Sequence, residues 1–222
     1  MDLDPGQTEF TPPGLISLNE VTAPLVGPPS THMRDPILTH FIGDITPQND
    51  VDHFEQSALA LFAAYRELDL NKCPLIINSH GWMQNRGYTS QIRLINHFRP
   101  QRIVQLADQS KAPLRIADLK ASQHGTDWVP LIHTLPIAVS AAPRVKHSAA
   151  DYRSHAYRCY FEDARCRTLR VSWRHLTIAF TDELPPSQAL YALNGTVVAL
   201  TVDTRPRRLL NEVSTSHVTD CV

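Results

Sequence analysis

Long apolar runs are missing from these 222 residues. No stretch approaches the ~18 consecutive apolar residues that a membrane-spanning helix needs, which excludes such a span. Cysteine is scarce too: Cys73, Cys159, Cys166 and Cys221 stand apart, with no C-x-x-C pair. That spacing argues against a disulfide framework and leaves isolated reduced thiols. Eleven histidines are present, yet no H-E-x-x-H or similar cluster gathers them, so a zinc site is rejected and residues such as His80 and His155 read as surface or hydrogen-bonded side chains. Charged residues are 19% against 42% hydrophobic, the balance of a globular chain rather than a disordered one. The opening Met1-Asp2-Leu3-Asp4-Pro5 is acidic and broken by proline, which is not the pattern of a signal peptide; the expectation is an intracellular protein, a nuclear location included.

What is present is unevenly distributed. Residues 1–70 hold eleven acids against Arg34 and Arg66, whereas residues 144–174 hold eight bases against Asp151, Glu162 and Asp163. A basic segment of that kind fits a polyanion, or is simply a solvated surface; charge alone does not separate the two.

The chain's length allows one substantial core, or one core with a small appended unit. Residues 1–48 are rich in proline, which predicts loops around short strands such as Leu15–Leu18. A helix comes next, capped by Asn49 or Asp50, with Phe54, Ala58, Leu61, Phe62 and Tyr65 at helical spacing and an end near Leu70-Asn71. Pro74–Asn78 reads as a short, fully buried strand, and His80–Gly87 as a polar loop. Tyr88–Phe98 reads as a helix that buries Ile92, Ile95 and Phe98 and stops before Pro100; Arg102–Leu106 is the next strand. Helix, strand, loop, helix and strand in that order imply an α/β class with a parallel sheet. Residues 107–147 read as irregular, and Ala149–Phe161 as a helix. Beyond it lie β-like runs at Leu169–Phe180, Ala189–Leu193 and Thr196–Val202. The last two flank Asn194-Gly195, the preferred pair of a two-residue hairpin turn. The tail from 205 to 222 is expected to be mobile. Four regions result: 1–147, a basic segment 148–168, a small C-terminal β-rich domain 169–204, and the tail.

The chemistry concentrates in three places. Asp2-Leu3-Asp4-Pro5-Gly6 sets an acidic residue at a strand end before a glycine turn, the arrangement by which P-loop phosphotransferases hold Mg²⁺ against nucleotide phosphates. The pattern D-x-D-x-G is weak alone. The longer run Asp4–Gly14, with Gly27–His32 and Phe41–Pro47, closely resembles the Walker B segment and its downstream stretch in RNA 5′-hydroxyl kinases of the nucleolar protein 9 type. Pro74–Trp82 is similar to that family's strand ending in T-x-G-W, which clasps the RNA near the phosphate acceptor; Ser79 keeps the threonine's hydroxyl. By itself Trp82 reads first as a core residue and second as a face on which a base stacks. Asp151–Arg158 resembles the family's lid, whose arginines close over the transferring phosphoryl group with a permanent, forked charge.

The resemblance covers most of residues 2–203 and implies a partial P-loop NTPase-like parallel sheet with ATP and Mg²⁺ as cofactors. It implies Asp4 as catalytic and metal-binding residue with Asp2 beside it, Gln7, Ser79, Gly81 and Trp82 as substrate-binding residues, and Arg153 and Arg158 as catalytic charges. It further implies RNA and an endonuclease subunit as partners, pre-ribosomal RNA processing, and residence in the nucleolus. One departure weighs against activity of the chain alone: it nowhere contains G-x-x-x-x-G-K-[ST], the loop that cradles the phosphates and lies upstream of Walker B in the family. The stretch between lid and final β unit also looks shortened. The expectation is therefore a fragment or an incomplete gene model. The competing class is a non-catalytic module that docks RNA or the endonuclease. A related branch, the RNA-kinase subunit of the pre-mRNA cleavage complex, shares the Walker B and T-x-G-W elements, but the run Gln7–Gly14 favours the nucleolar one.

Overall fold

The structure, a computed structural model, describes residues 1–68, 73–107, 119, 128–136, 147–162, 168–172 and 185–199. The chain divides into two compact units, Met1–Glu162 and Asp163–Val222.

The first unit is built on a four-stranded sheet in the order β3-β2-β1-β4, from Leu38–Phe41 (β3), Leu15–Leu18 (β2), Asp2–Leu3 (β1) and Asn78–Ser79 (β4). It is mixed rather than parallel throughout: β1 runs parallel to β4, while β2 is antiparallel to both β1 and β3. The antiparallel part follows from the turn chemistry of residues 4–14, where Gly14 adopts φ +90° and its N–H closes back on the Pro5 carbonyl at 2.8 Å.

Helix α1, Val51–Glu67, lies against this sheet. Asp50 caps it, its carboxylate accepting the His53 N–H at 2.9 Å, and the His53 ring is hydrogen-bonded to the Phe41 carbonyl at the end of β3. The apolar positions at helical spacing bury Phe54, Ala58 and Leu61 among Leu3, Ile16, Leu18, Ile42 and Leu94. Complete burial of a Phe, Leu or Ile side chain supplies about 1.5–3 kcal/mol, so this cluster contributes strongly to the unit's stability. Helix α2, Arg86–Phe98, packs beside α1. It buries Ile92 and Leu94 and leaves Ile95 and Phe98 half-buried. It ends where Arg99, ahead of Pro100, turns left-handed at φ 48°.

Strand β5, Arg102–Ala107, pairs in parallel with β6, Leu131–Pro136, in a separate two-stranded sheet. The second strand lies inside residues 107–147, which sequence alone makes irregular. Its signal is the short run Leu131-Ile132-His133-Thr134-Leu135 between Pro130 and Pro136. Helix α3, Ala149–Phe161, falls on the predicted span and begins with a reciprocal capping box between Ser148 and Asp151.

Two other expectations change. Pro74–Asn78 is not a fully buried strand: pairing covers only Asn78–Ser79, and Ile76 is 78% exposed. The reason is position, because β4 is the sheet's edge and Leu75 and Ile77 alone turn toward the core. In the second unit, Ala189–Leu193 is a short helix (α4) rather than the first arm of a hairpin. Alanine and leucine are strong helix formers, and Pro185-Pro186 leads in through a 3-10 turn at Pro186–Gln188. Asn194-Gly195 then ends a helix: Gly195 takes φ 72°, and the Thr196 N–H meets the Leu193 carbonyl at 3.2 Å. Residues 168–172 form no strand; the rest of the run to Phe180, and the tail 205–222, lie outside the described residues.

Candidate functional site

The register of β1 on β4 pairs Asp2 with Asn78 and Leu3 with Ser79. Asp4 and His80 are therefore the next residues at neighbouring carboxyl ends of two parallel strands, the position where open α/β sheets bind ligands.

On the β1 side, Asp2 is only 2% exposed. Its Oδ1 accepts from the Asn78 side-chain amide at 3.0 Å and from the Asp4 N–H at 3.3 Å, and its Oδ2 accepts from the Glu9 N–H at 2.8 Å. Burial pushes this carboxyl's pKa up; the bonds from Glu9, Asn78 and Asp4 act against that. Both oxygens of Asp2 are thus committed to holding the turn. Asp4 differs. Its Oδ1 accepts the Gly6 and Gln7 amides at 2.9 and 3.0 Å, and its Oδ2 accepts no hydrogen bond among the described residues. Half-buried, Asp4 offers one free anionic oxygen beside the turn. Gly6 makes that turn possible, since a Cβ there would lie 2.5 Å from the Ile45 carbonyl oxygen.

A second loop folds over the acidic turn. Glu9 pairs with His32 Nδ1, Arg34 donates to the His32 carbonyl at 3.1 Å, and its guanidinium sits 5.0 Å from the centre of the Phe10 ring. His32 is buried, and its Nε2 has no hydrogen-bond partner among the described residues. The segment 27–32 is thereby tied to the acidic run through the Glu9–His32 pair. The role of His32 itself was not legible, because nothing local to it in sequence predicts a partner 23 residues away.

On the β4 side, Ser79 and Gly81 are exposed and Trp82 is half-buried. Of the two readings for His80, surface or hydrogen-bonded, the second holds. His80 is 4% exposed, set edge-on to Phe54 at 5.2 Å between ring centres, and its carbonyl accepts from Gln91 Nε2 at 3.1 Å. Its Nδ1 accepts the Trp82 N–H at 3.2 Å, so the neutral ring carries its proton on Nε2. Burial lowers its pKa to about 4, with the charge of Asp4 pulling the other way. At neutral pH it is an uncharged strut between strand and indole.

The basic helix α3 brings its two arginines to different places. Arg158 faces solvent and is bound to Glu162 one turn on, at 3.0 Å. Arg153 is half-buried, one turn before Tyr157, whose hydroxyl donates to the Pro13 carbonyl at 2.9 Å. Arg153 is therefore on the side that docks against the loop following the acidic turn, and Arg158 is not.

These groups limit what metal the site can hold. Among the described residues no three His, Cys, Asp or Glu side chains converge into a cage. The free Oδ2 of Asp4 fits a Mg²⁺ ion, which takes one or two carboxylates and leaves its remaining positions to water and phosphate. No helix among the described residues is long and apolar enough to cross a membrane.

Comparison with known proteins bears on the same stretch. Residues 1–163 match the family described as mRNA cleavage and polyadenylation factor CLP1 P-loop. The chain is 35% identical over 159 residues to the polynucleotide 5′-hydroxyl-kinase NOL9 of Danio rerio, covering 71% of this chain and 21% of that protein. It is 38% identical over 112 residues to the Homo sapiens protein of that name, covering 50% of this chain and 15% of the relative. To the polynucleotide 5′-hydroxyl-kinase grc3 of Aspergillus clavatus it is 31% identical over 189 residues, covering 81% of this chain and 22% of the relative. The chain thus spans 15–22% of the length of these relatives.

Proposed function

Since this chain belongs to the mRNA cleavage and polyadenylation factor CLP1 P-loop family, we propose that it forms the metal- and acceptor-binding part of an ATP-dependent polynucleotide 5′-hydroxyl-kinase. The observation that carries this reading is the juxtaposition of Asp4, with one free carboxylate oxygen, and the Ser79–Trp82 loop at adjacent strand ends. In the reaction, the 5′-hydroxyl oxygen of RNA bonds to the γ-phosphorus of ATP while the bond to the β–γ bridging oxygen breaks; ADP leaves, and the hydroxyl's proton passes to water.

Catalysis of that kind is mainly positioning and charge stabilisation. Asp4 would hold Mg²⁺, which neutralises phosphate charge when bound. Asp2 supports the reading as the residue that fixes the turn, since its oxygens are already engaged. Ser79, Gly81 and Trp82 hold the RNA end, the hydroxyl by hydrogen bonding and the indole by stacking. Gln7, whose amide is fixed by Asp4, orients the acceptor hydroxyl or a water. Arg153 meets the charge developing on the phosphoryl group; Arg158 joins it once released from Glu162. The setting proposed is pre-ribosomal RNA processing in the nucleolus, beside an endonuclease subunit.

The test is γ-phosphoryl transfer from labelled ATP to a 5′-hydroxyl RNA, using the native polypeptide that contains this chain. Asp4→Asn is expected to abolish transfer without unfolding the protein. Full turnover by that variant would overturn the assignment. The surplus of bases in residues 144–174 favours a second reading, a non-catalytic module that docks RNA or the endonuclease. It predicts RNA binding that weakens with salt and no transfer by the chain alone.

A further inference from the structure

Gly87 is the second residue of α2, buried, and in ordinary helical conformation. The backbone does not require glycine there, and alanine is the better helix former. What requires it is Trp82. A Cβ on Gly87 would lie 2.3 Å from Cδ2 and 2.7 Å from Cε2, the two carbons shared by the indole's rings, and 2.5 Å from the Trp82 carbonyl oxygen. The middle of the indole therefore rests on the bare backbone of the helix. One turn further along the same face, Gln91 donates to the His80 carbonyl at 3.1 Å, and His80 Nδ1 in turn accepts the Trp82 N–H at 3.2 Å. Helix α2 thus grips the Ser79–Trp82 loop at two points, one beneath the ring and one behind it.

We propose that Gly87 is a positioning residue for nucleic-acid recognition: its missing side chain lets α2 back one face of Trp82, so that the other face is held ready for a base at the RNA's 5′ end. This rests on the reading of the loop as an RNA clasp. Stacking on a side chain is strong only when the ring is already in place, because ordering a loose ring on binding subtracts from the gain. Any residue with a Cβ at position 87 must lift the indole by about 1 Å to reach ordinary contact near 3.4 Å. The collision is with a ring and a main-chain carbonyl, so no flexible side-chain end is available to move aside.

The experiment measures binding of the 222-residue chain to a short single-stranded 5′-hydroxyl RNA labelled at its 3′ end, by fluorescence anisotropy at low salt. Trp82→Ala is expected to weaken binding roughly 5- to 150-fold, the range for one base–aromatic stack. Gly87→Ala is expected to weaken it at least about fivefold, and the double variant no more than Trp82→Ala alone, because Gly87 acts through the ring. Trp82→Phe in the Gly87→Ala background, a smaller ring with room beside the new methyl, is expected to recover part of the lost affinity and to keep a folded chain available should Gly87→Ala alone fold poorly. Wild-type affinity in Gly87→Ala while Trp82→Ala is weakened would overturn the positioning role and leave the clasp intact, as would a double variant weakened by the product of both losses. Unchanged affinity in Trp82→Ala would overturn the clasp, and the proposal with it.

Discussion

The hydroxyl of Tyr157 donates to the carbonyl of Pro13 at 2.9 Å, joining residues 144 positions apart. The next residue, Gly14, donates its N–H to the Pro5 carbonyl at 2.8 Å, directly after Asp4. The basic helix therefore hangs on the same turn that closes the acidic loop. Removing one oxygen tests the connection. Tyr157→Phe is expected to cost about 1 kcal/mol, the net worth of a typical hydrogen bond. It is also expected to speed tryptic cleavage at Arg153 and Arg158, read by limited proteolysis with peptide mapping. Unaltered cleavage rates would mean that the helix is held by its other contacts.

Two glycines in the site give opposite expectations. A Cβ on Gly6 would meet the Ile45 carbonyl oxygen at 2.5 Å, whereas one on Gly81 would meet nothing within 4 Å. Gly6→Ala should therefore destabilise by about 1–3 kcal/mol, as overpacking against main chain does. Gly81→Ala should change stability by no more than about 0.5 kcal/mol, as at an unconstrained exposed site. Urea unfolding of both variants checks the pair. Equal effects would show that the turn at residues 4–7 relaxes away from Ile45.

Helices were legible in this chain because their causes are local. The Asp50 cap, the spacing of Phe54, Ala58 and Leu61, and the Ser148–Asp151 capping box all lie within one or two turns of the elements they set. What was not legible depends on partners distant in sequence. The apolar run Pro74–Asn78 looks like a central strand, and only the sheet order makes it an edge with Ile76 outward. Asn194-Gly195 is ambiguous in principle, because positive φ at glycine serves a hairpin turn and a helix end equally. The site shows the same division. Asp4 and Trp82 could be singled out from their motifs. His80 became visible only when Phe54, Trp82 and Gln91 were in place around it.

The core makes a simpler prediction. Phe54 is fully buried in the main cluster and also supports the His80 ring at 5.2 Å. Phe54→Ala is expected to cost about 3–5 kcal/mol by transfer and cavity terms together. Phe54→Leu keeps most of the volume but removes the aromatic edge, and should cost less. Thermal and chemical denaturation order the three proteins, and equal stability of the two variants would place the loss in the ring contact rather than in the cavity.

His80 makes folding of this unit sensitive to acid, with a sign that follows from its burial. Its pKa falls on folding from 6.5 to about 4, so between those values the unfolded chain binds a proton that the native ring refuses. Stability is then unaffected by this residue above about pH 6.5 and declines as pH falls through the window, by about 3 kcal/mol in all at 1.36 kcal/mol per unit. Asp2 opposes it at the acid end, because its raised pKa makes the native state the better proton acceptor just above 3.8. Comparing wild type with His80→Phe cancels that contribution. The variant keeps a ring against Phe54; it deprives the Trp82 N–H of its acceptor but also removes the buried Nε2–H, which has no partner among the described residues, so the two proteins should differ by no more than about 1 kcal/mol at pH 7.5. As pH falls the wild type should lose stability relative to the variant, the difference opening between pH 6.5 and 4. Parallel curves across that range would mean that the ring takes up its proton in the folded state, and that it is not the neutral strut on which the geometry of Trp82 depends.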